Sequence, residues 1–311
     1  SKLFQELTDQ LGETTDTILE IALVANPIMH HLVLGINPIN LGGAPFALTL
    51  DEAVTVKASD LGLNAHPQAR LFVLPCIAGH VGADTAGVIL AEGPDREKAM
   101  SLIVDVGTNA EIVLGNQDRL LVCSSPTGPA FEGGEISSGQ RATVGAIERV
   151  RIDRETFEPK FKVIGSDLWS TEEQFQSSTA DLTITGICGS GIIEVVAEMY
   201  LAGIITEDGI VDGSLSAQTE RVITQGRTWS YVLHFAEGEA QRDIVFTQND
   251  VRQIQLAKAA LYAGIKLLMD KMGVDTVDRI RLAGAFGSHI SVEHAMVLGL
   301  IPDCPLDQVS S

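Results

Sequence analysis

An α/β fold is what this sequence predicts, and three observations carry it. Short apolar runs alternate with segments of helical period from end to end. Two of these runs, ending at Ile187 and Leu282, pass through glycine-containing turns directly into helical patterns. A third, residues 102–106, enters the acidic turn Asp105-Val106-Gly107-Thr108-Asn109 and leaves it as another apolar run. Length and composition agree with this class. With 311 residues, 45% of them hydrophobic, the chain can bury a substantial core and form one large domain or two smaller ones of roughly 100–200 residues.

The elements follow in order. Residues 18–24 read as a strand and residues 27–34 as a helix ended by Gly35, with Pro27 suited to a first helical turn. Residues 37–66 are irregular, and Pro38, Gly42, Gly43 and Pro45 mark a surface excursion. Residues 70–74 form a strand, followed by a turn at 77–82 and a small-residue helix at 83–91. The charged stretch 92–98, with Gly93-Pro94, is the expected subdomain boundary, dividing residues 1–98 from 99–311. Strands at 102–106, 111–114 and 119–123 then make a meander, and residues 128–139 a glycine-rich loop whose only charges are Glu132 and Glu135. A strand at 184–187 leads through Cys188-Gly189-Ser190-Gly191 into a helix at 192–201. Residues 206–241 read as loop or hairpin. Residues 248–272 form a long helix, because Val251, Ile254, Leu261, Ile265, Leu268 and Met272 recur on one face, with Thr247 as its cap and Gly273 as its stop. A buried strand at 279–282 runs through Gly284-Ala285-Phe286-Gly287 into a last helix near 292–298.

Charge and cysteine usage narrow the function. The 21 basic and 41 acidic residues leave a net charge of −20, a field that repels nucleic acid and anionic lipid and favours solubility or a basic partner. Cys76, Cys123, Cys188 and Cys304 are widely spaced, and no Cys-x-x-Cys pair suggests a disulfide framework, an iron–sulfur cluster or a zinc site. Buried reduced thiols in a cytoplasmic protein are the expectation. No leader, lipidation motif or membrane-spanning apolar run is visible.

The chemistry resides in the glycine turns. Gly107 lets the backbone approach a ligand, leaving successive N–H groups and the Thr108 hydroxyl to meet phosphate oxygens, with Asp105 beside a hydrated magnesium. A plain hairpin turn uses the same residues, so this motif alone leaves both readings open. Gly186–Gly191 and Gly284–Gly287 each place unpaired N–H groups at a helix start, where a phosphate or ribose could rest, although close strand-to-helix packing also calls for small residues. Adjacent His30 and His31 are not read as a metal site: neighbours on a helix point in different directions, and no carboxylate or Cys joins them at ligand spacing.

Taken together, the acidic hairpin, the glycine turn, the long helix and the strand ending in Gly-Ala-Phe-Gly occur in the order used by the actin, Hsp70 and sugar-kinase superfamily of ATPases, with its ribonuclease H-like fold. Within it the chain resembles the reductive activators of corrinoid-dependent enzymes. The passages Leu74-Pro-Cys-Ile-Ala-Gly-His-Val-Gly-Ala-Asp-Thr85, Asp105-Val-Gly-Thr-Asn-Ala-Glu-Ile112 and Gly186-Ile-Cys-Gly-Ser-Gly-Ile-Ile193 carry the resemblance. Gly128-Pro-Ala-Phe-Glu-Gly-Gly134, Gln255-Leu-Ala-Lys-Ala-Ala260 and Leu282-Ala-Gly-Ala-Phe-Gly287 add to it, so that it spans residues 21–302. It implies an ATP- and Mg2+-dependent protein that drives electron transfer to an oxidised cobalt, returning Co(II) to Co(I) in a partner corrinoid protein. The family's two-iron two-sulfur ferredoxin domain and its earlier Asp-x-Gly-Thr-Thr loop have no counterpart here. The expectation is therefore a C-terminal region, beginning partway through the first ATPase subdomain, that binds ATP weakly and turns it over poorly. Residues 1–98 would be the remainder of that subdomain with its linking helix, and residues 99–311 the second ATPase subdomain. At Ala25-Asn26-Pro27-Ile28-Met29 the family tends to have Gly-Asn-Thr-Thr-Met, a loss of hydroxyls that weakens a polar role for that turn.

By the same resemblance, Asp105 would hold hydrated magnesium and Gly107, Thr108 and Asn109 would line the β/γ-phosphate site. Gly284, Ala285, Phe286 and Gly287 would contact adenosine, and Gly189, Ser190 and Gly191 would make a further ligand contact. Asp84 falls where the superfamily places the residue that orients attacking water, and also where an Asp would cap a helix. Glu132 is read first as a solvated loop glutamate, with magnesium or the partner as its alternatives, and Phe131 as packing or a corrinoid contact. Any cobalt would arrive on the partner, and a homodimer is left open. Two further classes stay beside the activator: a small-molecule kinase of the same superfamily, and a docking module with no functional nucleotide site.

Overall fold

The computed structural model describes residues 2–236 and 242–311. They divide into two units, residues 1–98 with 115–124, and residues 99–114 with 125–311. The part of the expected 206–241 loop at 237–241 lies outside the described residues.

The first unit holds helix α1 (Lys2–Leu11), strand β1 (Glu20–Leu23), helix α2 (Pro27–Val33), strands β2 (Val54–Lys57) and β3 (Arg70–Val73), and helix α3 (Ala83–Glu92). Its sheet has the order β1-β3-β2, with β1 parallel and β2 antiparallel to β3. β2 corrects the reading of residues 37–66 as irregular throughout: Val54-Thr-Val-Lys is a four-residue alternation too short to register between glycine and proline turns. Asn26 caps α2 by accepting the Met29 N–H (2.9 Å), so the turn that lost its hydroxyls keeps a polar role through Asn26.

The second unit begins with strands β4 (Ser101–Val106) and β5 (Ala110–Asn116), whereas β6 (Arg119–Ser125) belongs, but for its last residue, to the first unit. Strands β7 (Ala146–Ile152) and β8 (Pro159–Val163), helix α4 (Phe175–Ser178), strand β9 (Gly186–Ile187) and helix α5 (Gly189–Leu201) follow. Strands β10 (Val222–Gln225), β11 (Thr228–His234) and β12 (Ile244–Thr247) precede the long helix α6 (Gln248–Met272), which is succeeded by strand β13 (Arg279–Ala283), the short helices α7 (Gly284–Gly287) and α8 (Val292–Val297), and strand β14 (Val309–Ser310). Its main sheet holds the strands β14-β13-β4-β5 in that order, with β13 parallel to both β14 and β4. Two three-stranded sheets, β8-β7-β9 and β10-β11-β12, complete the unit.

Its core is drawn largely from β4, β5, β7 and α5. Leu102, Ile103, Val104, Ile112, Leu114, Ile147, Ile192 and Ile193 are all buried, each contributing about 1.5–3 kcal/mol relative to exposure. α5 is buried nearly all round from Gly189 to Ala197, as an apolar core helix should be. α6 begins and ends at the expected residues because both signals are local. Thr247 and Asp250 form a reciprocal capping box, and Gly273 closes the helix in the left-handed conformation.

Candidate functional site

The parallel register of β4 and β13 sets Asp105 opposite Ala283. Both strands therefore end together, and the turns that follow them come to the same edge of the sheet. This is the carboxyl end of parallel strands, where open α/β sheets form their ligand sites. Gly284, at φ +80°, comes so close to Asp105 that a Cβ there would collide with the carboxylate Oδ1.

A third and a fourth segment join these two. A Cβ on Gly189, the first residue of α5, would collide with the Phe131 carbonyl oxygen and the Phe286 ring. Glu132, the next residue after Phe131, accepts the Thr108 hydroxyl at 2.9 Å. The acidic turn, the Phe131–Glu132 segment, the start of α5 and the Gly284–Gly287 helix thus converge within one unit, although they are spread over some 180 positions of sequence.

The acidic turn is held from below. Thr127 Oγ1 donates to the carbonyls of Gly107 (2.8 Å) and Thr108 (3.2 Å), and the Gly128 N–H donates to Thr108 O (2.9 Å). Gly107 N–H closes the turn on Asn109 O at 3.0 Å. These bonds fix the carbonyls away from the mouth of the turn. The N–H groups of Thr108 and Asn109 donate to no group among the described residues, and both side chains are exposed. An exposed glycine turn with two undirected N–H groups and a hydroxyl fits an anion, and the half-buried Asp105 carboxylate beside it fits a hydrated divalent cation.

The other expected site residues take distinct places. Gly189, Ser190 and Gly191 are not a loop ahead of a helix but the buried first turn of α5, with Cys188 as N-cap. Gly191 lies against the Ile147 carbonyl, where a side chain would collide, and Ser190 Oγ is 3.4 Å from Cys188 Sγ. Ala285 is exposed, Phe286 half-buried and Gly287 buried against Leu282. Asp84 belongs to the first unit, in the first turn of α3, where its Oδ1 accepts the Thr85 N–H at 2.8 Å. The N-cap of α3 is Gly82 and the helix has no side-chain cap, so the cap reading of Asp84 gives way to a local bond to the next residue.

His30 and His31 do not diverge as helix spacing suggests. Both are buried, and their Nδ1 atoms approach to 3.4 Å. His31 donates from Nδ1 to Pro27 O (2.8 Å) and accepts the Thr49 N–H at Nε2 (3.1 Å), which places its proton on Nδ1. Burial first, and then His31, holds His30 below its ordinary pKa of 6.5. Among the described residues no group of three His, Cys, Asp or Glu side chains could hold a metal ion.

Sequence reasoning passed over two buried carboxylates. Asp250 accepts the Ser137 N–H (2.8 Å) and hydroxyl (3.0 Å) besides capping α6, which ties that helix to the loop after Glu132. Glu194 accepts the β7 Val150 N–H (2.8 Å) and pairs with Arg149 and Arg151. A carboxylate inside an otherwise apolar helix was the available signal for Glu194.

The comparisons with known proteins bear on the family and the fold. A family model for the C-terminal domain of RACo, the ASKHA domain, matches residues 99–311, and one for the RACo middle region matches residues 1–97. The corrinoid activation enzyme RamQ of Eubacterium limosum is 36% identical over 310 residues, covering 97% of this chain and 49% of that protein. A reductase of the Co(II) methylated amine-specific corrinoid protein, from Methanosarcina barkeri, is 26% identical over 246 residues, covering 75% of this chain and 40% of that one. The solved structure of a reductive activator for corrinoid,iron-sulfur protein superposes with a TM-score of 0.82 at 31% identity, over 99% of this chain and 47% of that one. The chain thus spans about half the length, or less, of the curated relatives it matches.

Proposed function

The chain belongs to the RACo family, with the ASKHA fold of actin, Hsp70 and sugar kinases, and on that premise we propose that it is the nucleotide-binding and partner-docking region of an ATP-dependent reductive activator of a corrinoid protein. The observation that carries the nucleotide part is the convergence of the Asp105–Asn109 turn with three other segments, Phe131–Glu132, the start of α5 and Gly284–Gly287, with the bare Cα of Gly284 against the Asp105 carboxylate. Asp105 would hold hydrated Mg2+, which when bound neutralises phosphate charge. The Gly107–Asn109 turn would receive the β/γ-phosphates, and Gly284–Gly287 the adenosine. The names of the relatives support a corrinoid protein as partner, with one electron passing to Co(II) to give Co(I). The donor would be an iron–sulfur cluster on a part of the polypeptide outside this chain.

The surface of the first unit supports a longer polypeptide. Leu3, Leu7 and Leu11 form one stripe of α1 and are 71%, 57% and 76% exposed, and no residue of β1 is buried. Contiguous apolar surface of this kind marks a face that packs against something else.

Calorimetric titration of Mg-ATP and Mg-ADP into the purified chain, with Asp105→Ala as control, tests the reading. Weak binding that Asp105→Ala abolishes is the expected result. No heat at about millimolar nucleotide, a Kd at which only about 4 kcal/mol of binding free energy remains, would leave a docking module without a nucleotide site.

A further inference from the structure

We propose that Glu132 makes nucleotide binding at the Gly107 turn conditional on Mg2+, acting as a positioning and specificity residue that sets a second carboxylate on the phosphate turn beside that of Asp105. This deepens the nucleotide reading above and rests on it. Glu132 ends the short turn Pro129–Glu132, which is bounded by Gly128 at φ +73° and Gly133 at φ +84°. The turn is anchored on its inner side by Phe131, which is fully buried, so that the following residue is directed outward. At its leading end it is tied to the acidic turn by the Gly128 and Thr127 bonds to Gly107 and Thr108. At its trailing end Gly133 packs against the Gln140 backbone, with no room for a Cβ.

This framework fixes where the carboxylate stands. Its Oε1 accepts the Thr108 hydroxyl at 2.9 Å and lies 3.7 Å from the point a Cβ on Gly107 would occupy. Glu132 forms no ion pair among the described residues, so no side-chain cation offsets its charge at the turn. A solvated loop glutamate needs none of these restraints. A polyphosphate entering the turn meets a negative charge there and competes with Glu132 for the Thr108 hydroxyl. The magnesium complex of the same nucleotide does not carry that penalty, because Mg2+ is commonly bound by one or two carboxylates together with phosphate oxygens.

The test is the affinity of the full chain for ADP in Mg2+ and in EDTA, for the wild type and for Glu132→Gln, Glu132→Asp and Glu132→Ala. Glu132→Gln keeps an oxygen to accept the Thr108 hydroxyl while removing the charge. The wild type should bind Mg-ADP at least about tenfold more tightly than metal-free ADP. Glu132→Gln and Glu132→Ala should bring that ratio towards one, chiefly by tightening the metal-free complex, and Glu132→Asp should keep it. A purely structural role would weaken both forms alike, and unchanged melting curves would show the variants folded. A wild-type ratio retained in Glu132→Gln, or a wild type indifferent to Mg2+, overturns the proposal and leaves the nucleotide site standing. A wild type that binds neither form overturns both.

Discussion

Gly284 sits where a side chain has no place to go. Its φ of +80° is in the left-handed region, and a Cβ would collide with Asp105 Oδ1. Gly284→Ala should therefore displace Asp105, and calorimetry should show lost nucleotide binding with a stability loss of about 1 kcal/mol or more. His30 supplies a pH dependence. Its pKa is lowered in the folded protein and returns to 6.5 on unfolding, so below that pH the unfolded chain binds the extra proton. Stability is then fully present above about pH 6.5 and falls as the pH drops through the folded pKa. Thermal melts at about pH 7.5 and about pH 5.5 should show the first unit losing stability in acid, and His30→Leu should flatten that loss.

Helix α6 and strand β7 show how single carboxylates hold whole elements. Asp250 is fully buried and serves both its own helix and the Ser137 backbone. Asp250→Ala should cost about 2 kcal/mol or more in denaturant titrations, since it removes a cap and leaves buried donors unpaired. Along β7, where pairing with β9 ends at Ile147, the next donors find α5 instead. Val150 N–H goes to Glu194 and Ile152 N–H to Glu198, while Arg149 and Arg151 supply the counter-charge. Hydrogen bonds from His294 and Ile152, with Arg151 nearby, outweigh burial and hold Glu198 below the usual glutamate range. Removing Glu194, whose side chain is 1% exposed, strands two arginines and a strand donor, and Glu194→Ala should cost about 3–5 kcal/mol in the same titration.

The two units differ in how well they are built. The second buries long apolar runs in β4, β5, β7 and α5, whereas in the first even β1 and most of α2 stay at the surface. Amide hydrogen exchange of the chain should accordingly be fast in β1, α1 and α2 and slow in β4, α5 and α6. Equal protection in both units would contradict this. No helix among the described residues is long and apolar enough to cross a membrane.

Local chemistry was readable from the chain alone. The limits of α6 followed from Thr247, Gly273 and a sustained apolar face; the β4–β5 hairpin, the start of α3 and the strand before Gly284 were equally plain, because caps, periods and turn residues act within a few positions. Residues 140–183 yielded no element, since β7 reads as alternating charge and aliphatic residues whose arginines make sense only with α5 beside them. The convergence of Asp105, Glu132, Gly189 and Gly284 was implied for the turns by the family resemblance but could not be read from local patterns, for the same reason. It depends on the register of β4 against β13 and on the burial of Phe131, which are contacts between segments far apart in sequence. The sequence determined which turns could meet a phosphate; only tertiary packing decided that they meet one another, because hydrogen-bond register and close packing act across space and leave no local period to read.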